Sequence, residues 1–167
     1  MKFLFFLLFG FGLFAINPEA NAQEPKASPH DTVETADLKV TYGRPYKKGR
    51  EIFGQLEPYG KVWRVGANEA TEITFKKDMK FGGQDVKAGT YTLFAIPQEN
   101  EWTIILNSTL KQWGAYGYDK NKANNVLEIK VPVKKMDAVT EQLTIAPENN
   151  NLFIRWDNTE VAIPVGS

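Results

Sequence analysis

From residue 38 onward, apolar residues recur at every second position in short runs, and no segment sustains the 3.6-residue spacing of an amphipathic helix. Leu38, Val40 and Tyr42 alternate with polar residues, as do Ile73 and Phe75, and later Leu127, Ile129, Val131 and Val133. Such a period places alternate side chains on one buried face of a strand. Turn residues separate the runs. Gly82-Gly83 between residues 79–81 and 84–86 signals a two-residue hairpin. A polar turn after Pro97 joins residues 90–96 to 102–106 in a second hairpin. Further short strands are expected at 62–65, 143–146, 152–156 and 161–165, with Asp157-Asn158 as a turn between the last two. About nine or ten short strands with regular turn signals describe an all-β antiparallel sandwich or jelly roll, with a closed barrel as the alternative. One long loop rich in arginine interrupts them, and residues 50–56 within it could form one or two helical turns.

The N-terminus has a different composition. Lys2 precedes an apolar run over residues 3–16, followed by the small-residue end Ala20-Asn21-Ala22. This is the pattern of a secretory signal peptide over residues 1–22. The apolar run is shorter than the roughly 20 residues a bilayer-spanning helix needs. No integral membrane segment is therefore expected after cleavage, and with no cysteine to carry a lipid the chain is expected to be exported, periplasmic or extracellular. Residues 23–35 are polar with Pro25 and Pro29 and are expected to be a flexible lead-in, leaving 36–167 as one β domain.

Composition excludes several chemistries. Twenty basic and twenty acidic residues balance to a formal net charge of zero, which provides no long-range attraction for nucleic acid or an anionic membrane. Without cysteine there is no thiolate nucleophile, thiolate metal site or disulfide, so stability rests on packing. The only histidine, His30, lies in the lead-in, which leaves neither a Ser-His-acid triad nor a zinc centre a sensible set of partners. No glycine-rich phosphate loop occurs, and neither a cofactor nor a bound metal is expected.

Two constellations remain. Residues 42–71 hold Arg44, Arg50 and Arg64, three of only four arginines against sixteen lysines. A guanidinium offers a planar fork for a carboxylate or phosphate. It serves equally well to tie a long loop to backbone carbonyls, and both readings stand. The second constellation, Gln112-Trp113-Gly114-Ala115-Tyr116-Gly117-Tyr118-Asp119, combines glycines with aromatic rings between strand signals. Exposed on a loop, those rings would stack on sugars or cations; folded inward, they would cover the core.

The segments YGRPYKKGREIFG, PYGKVWRVGANEAT, AGTYTLFAIP, EWTIILN and QWGAYGYD resemble the bacterial family called domain of unknown function 2911, from about residue 28 to residue 165. Val65 stands where the family pattern implies threonine. The resemblance implies a secreted or periplasmic β-protein and carries over no established activity.

Three functional readings follow. The leading one is a non-catalytic extracytoplasmic module for a small anionic or sugar-like ligand. In it Arg44, Arg50 and Arg64 hold an anionic group, Asn68 and Glu69 take hydroxyls or an amine, and Trp113 and Tyr116 stack. The second is a carbohydrate-active hydrolase using two of Glu51, Glu57, Glu69 and Glu72, for which the carboxylate separation is decisive. The third is an envelope protein that engages a protein partner through a sheet edge or apolar patch.

Overall fold

A computed structural model of the protein describes residues 28–166. The proposed leader and the start of the lead-in lie outside the described residues. The fold is all-β: nine antiparallel strands in the order β1-β2-β3-β6-β7-β8-β9-β4-β5. They are β1 (His30–Glu34), β2 (Leu38–Gly43), β3 (Glu72–Phe75), β4 (Met79–Phe81), β5 (Gln84–Val86), β6 (Gly89–Ile96), β7 (Glu101–Asn107), β8 (Asn125–Glu148) and β9 (Asn151–Gly166). One short helix, α1 (Tyr118–Asn121), and a 3-10 turn at Lys122–Asn124 precede β8.

β8, at 24 residues, is long enough to serve both layers of a sandwich-like arrangement. The first part of β8 pairs with β7, from Asn125 to Pro132, and the remainder pairs with β9. The β8–β9 register shifts between Lys135 and Thr140 and again between Thr140 and Thr144. Such irregularities bend a strand and increase its twist. The far half of β8 thereby returns to β2: Ile145 N–H donates to the Tyr42 hydroxyl at 3.1 Å, and Tyr46 bridges Gln142. Between the layers lies one large core that includes Val40, Tyr42, Ile73, Phe75, Leu93, Ile104, Ile145 and Ile163. Phe53, Trp63, Trp102 and Trp156 form an aromatic cluster within it. The Trp63–Trp102 contact is edge-on at 5.7 Å, which sets a positive ring edge against a negative face.

The alternating patterns and both hairpins match the strands expected from the sequence. Gly82 and Gly83 have φ of +60° and +83°, as a primed hairpin turn requires. Four details differ. His30–Glu34 is not lead-in but an edge strand on β2, because Thr32 and Val33 find backbone partners at Thr41 and Val40. The Arg-rich loop has no helix; Ile52 closes turns instead, its carbonyl accepting from Glu57 N–H at 2.9 Å. The segment around Trp63 makes only an isolated bridge to Ala95, since Val65 leaves the extended conformation at φ +55°. The strands expected at 126–133 and 143–146 merge into β8, and those at 152–156 and 161–165 merge into β9. Asp157 makes no hairpin turn, its φ of +55° being absorbed opposite the register shift at Thr140.

β6 and β7 are covered on both faces. Leu93, Ala95, Ile104 and Leu106 face the main core, whereas Phe94 and Ile105 face outward. Tyr118 of α1 packs over this outer pair, its ring 5.2 Å from that of Phe94. The loop between β7 and β8 is thus seated on the back of the sheet.

Gly43 sets the approach of the two loops at the other edge. A Cβ there would stand 1.9 Å from the Ala67 carbonyl oxygen, a backbone atom with little freedom to retreat. Gly43→Ala is expected to lower stability by about 3 kcal/mol, read as a shift in the urea midpoint. An unchanged midpoint would show that residues 64–71 are not packed against β2 in this way.

Candidate functional site

The three arginines of the Arg-rich stretch have separate partners. Arg44 donates from Nε to the Leu143 carbonyl at 2.9 Å, from Nη1 to Asp31 at 3.2 Å and from Nη2 to Thr144 Oγ1 at 3.0 Å. It clamps the end of β2 to β1 and β8. Arg50 donates to the carbonyls of Lys47 at 2.9 Å and Tyr46 at 2.6 Å, holding its own turn. Both use the fork on acceptors belonging to the protein. Arg64 is different: its Nε is buried and, among the described residues, has no hydrogen-bond partner.

Glu57 lies near Arg64. Glu57 is half-buried, and desolvation of its carboxyl raises its pKa from 4.5 to about 7, against the opposing pull of Arg64 and, less, Arg50. Of the four glutamates considered for acid–base chemistry, Glu51 and Glu69 are exposed. Glu72 accepts the Lys111 N–H at 2.8 Å. Glu51 and Glu57 belong to the turns of the Arg-rich stretch, whereas Glu69, near its far end, and Glu72 border the loop before α1.

Asn68, Glu69, Trp113 and Tyr116 are brought to one place by two short segments that pair with each other. Glu69 bridges Trp113, Ala70 N–H donates to Gln112 O at 2.8 Å, and Gly114 N–H donates to Asn68 O at 2.9 Å. The first segment is conformationally costly. Val65 and Asn68 have φ of +55° and +65°, and a β-branched residue in that region is strained. Thr71 holds the strained peptide, donating from Oγ1 to Val65 O at 2.8 Å and from N to Arg64 O at 3.1 Å. The Val65 side chain itself belongs to the core.

The second segment is fastened from beneath by amides. Asn107 is buried and uses all four of its hydrogen-bonding positions. Its Nδ2 donates to Asn121 O and Asn125 Oδ1, both at 2.8 Å, and its Oδ1 accepts from Thr109 N at 2.9 Å and Gln112 Nε2 at 3.5 Å. Gln112 also donates to Thr109 O at 2.9 Å and accepts from Asn121 at 3.2 Å. Asn125 donates to the Tyr118 hydroxyl at 2.8 Å. Above this layer the rings point outward: Trp113 is 60% exposed and Tyr116 84%. Tyr116 rests across Gly114, where a Cβ would stand 2.7 Å from its Cε2.

Two shallow recesses adjoin the paired segments. One, of about 250 Å³, is lined by His30, Thr41, Glu69, Ala70, Glu72 and Lys111. The other, of about 340 Å³, is lined by Gly60, Lys61, Val62, Ala115, Tyr118 and Asp119. Each contains a lysine and at least one carboxylate. Among the described residues, no cluster of three or more His, Asp or Glu side chains is placed to hold a metal ion, and no helix is long and apolar enough to cross a membrane.

Sequence patterns pointed to Trp113 and Tyr116 but not to the amides supporting them. Asn107, Asn121 and Asn125 are scattered polar residues until β7, α1 and β8 converge. The coupling of Glu57 to Arg64 was equally invisible, because it depends on how deeply one turn is buried.

A family model matches residues 24–165, and the chain belongs to the family it describes, "Protein of unknown function (DUF2911)". No curated protein and no solved structure matches the chain.

Glu57 makes stability depend on pH. Its native-state pKa of about 7 lies above the ordinary 4.5, so the native state holds this proton more tightly than the unfolded chain. The resulting cost is absent below pH 4.5, grows as pH rises and is complete above about 7, at roughly 3 kcal/mol. Glu57→Gln removes it. The variant is expected to melt higher than the parent at pH 8 and to lose stability less steeply between pH 5 and 7. Parallel pH profiles would contradict the assignment.

Proposed function

We propose that this chain is an extracytoplasmic binding module that holds a neutral, sugar-like ligand against Trp113 and Tyr116. The observation that carries the reading is the pair of exposed rings on a loop whose supporting amides are bonded to one another beneath it. A ring left in water forgoes the roughly 1.5–3 kcal/mol that burial of a large apolar side chain supplies. A loop held rigid loses little further entropy on binding, so more of the contact energy reaches the ligand.

The partners of the arginines favour a neutral ligand over an anionic one. Arg44 and Arg50 are engaged by protein acceptors. The polar groups around the rings carry both signs, Glu69 and Asp119 beside Lys111 and Lys61. Alternating donors and acceptors of this kind suit hydroxyl groups, each of which both donates and accepts. Asn68 and Glu69 supply further polar edges next to Trp113. The leader pattern at residues 1–22 supports export of the module.

The test is thermal denaturation with cellohexaose and with the hexamer of N-acetylglucosamine, for the parent and a Trp113→Ala, Tyr116→Ala double variant. Because both rings are mostly exposed, the variant retains the parent melting temperature without ligand. At least one hexamer is expected to raise the parent's melting temperature, and the rise is lost in the variant. No rise with either hexamer, or an equal rise in both proteins, would overturn the reading.

A further inference from the structure

Resting on that reading, we infer that the ligand is an extended β-linked glycan chain that crosses the Trp113–Tyr116 loop and places sugar units in both flanking recesses. The two recesses border one apolar cluster, in which Ala70 of the first packs with Val62, Ala115 and Tyr118 of the second. Lys111 belongs to the first, Ala115 and Tyr118 to the second, and Trp113 lies between them in the loop. Their volumes of about 250 and 340 Å³ lie near the lower end of the range for ligand pockets, roughly 300 Å³. Neither is large enough to enclose an oligosaccharide. Together with the exposed rings they form a broken track, and a chain that occupies several stations at once binds through effective concentration.

The chemistry along the track repeats. One recess offers Glu69 and Lys111, the other Asp119 and Lys61, and the exposed Trp113 and Tyr116 belong to the chain segment that runs from Lys111 to Asp119. A β-linked chain with equatorial substituents has the matching alternation. Its ring faces are apolar and its edges carry hydroxyls, unit after unit. A single sugar would meet only one station, and an anionic polymer would meet Glu69 and Asp119 unfavourably.

Calorimetric titration with the glucose and N-acetylglucosamine series, from monomer to hexamer, tests the inference. In at least one series affinity is expected to rise about tenfold or more between dimer and hexamer. A Lys61→Ala, Asp119→Asn variant, altered only at exposed positions, should bind the hexamer about tenfold more weakly and the dimer as the parent does. A dimer or monomer that binds as tightly as the hexamer, or a variant with parental hexamer affinity, overturns the extended chain while leaving the aromatic platform standing. No binding at any length in either series overturns the platform, and the extended chain with it.

Discussion

The antiparallel pairing of β8 with β9 is the constraint on which the rest depends. β8 belongs to both layers, the register shifts near Thr140 turn it from β7 toward β2, and β9 pairs along its second half. With no disulfide to fasten the layers, the ribbon and the core it encloses are what joins them. Its start also anchors the candidate site. Asn125, the first residue of β8, meets both Asn107 at the end of β7 and Tyr118 in α1. The loop bearing Trp113 and Tyr116 is therefore pinned to the same element that organises the fold.

Two kinds of stored cost converge on that loop. One is backbone strain, with Val65, Asn68 and Lys111 all at positive φ within or beside the paired segments. The other is the exposure of two large rings in a protein that relies on packing. Strain of this kind persists where surrounding structure over-determines it, here through Thr71, Gly43 and the buried Asn107. A half-satisfied amide layer would be worse than an apolar one, but Asn107 has all its positions filled. Glu57 is a separate case. Its carboxyl is desolvated and coupled to Arg64, whose buried Nε has no partner among the described residues, and neither group lines the recesses beside the platform.

What was legible in the sequence was whatever depends on neighbours along the chain. Alternation at Leu38, Val40 and Tyr42 gave β2, and Gly82-Gly83 gave the β4–β5 hairpin, because period and turn chemistry are local. The merging of four expected strands into β8 and β9 was not legible. Asp157-Asn158 has turn chemistry, and only the opposing register shift lets it stay within a strand. The clustering of Arg44, Arg50 and Arg64 in sequence did not become a cluster of free guanidinium groups. Two of the three acceptors for Arg44, Leu143 and Thr144, lie about a hundred positions away. Trp113 and Tyr116 were visible as aromatics in a glycine-rich loop, but their exposure depended on Tyr118 being the ring that turned inward.

The four tryptophans allow the platform to be tested at one atom. Trp63, Trp102 and Trp156 are buried in the aromatic cluster, and Trp113 alone is exposed. In a nitrogen–proton correlation spectrum, each indole N–H gives its own signal. The account predicts that adding an oligosaccharide hexamer which stabilises the protein moves the Trp113 indole signal, together with amides of residues 111–118, and leaves the other three indoles in place. A titration that moves the buried three, or leaves Trp113 unchanged while ligand binds, would contradict it.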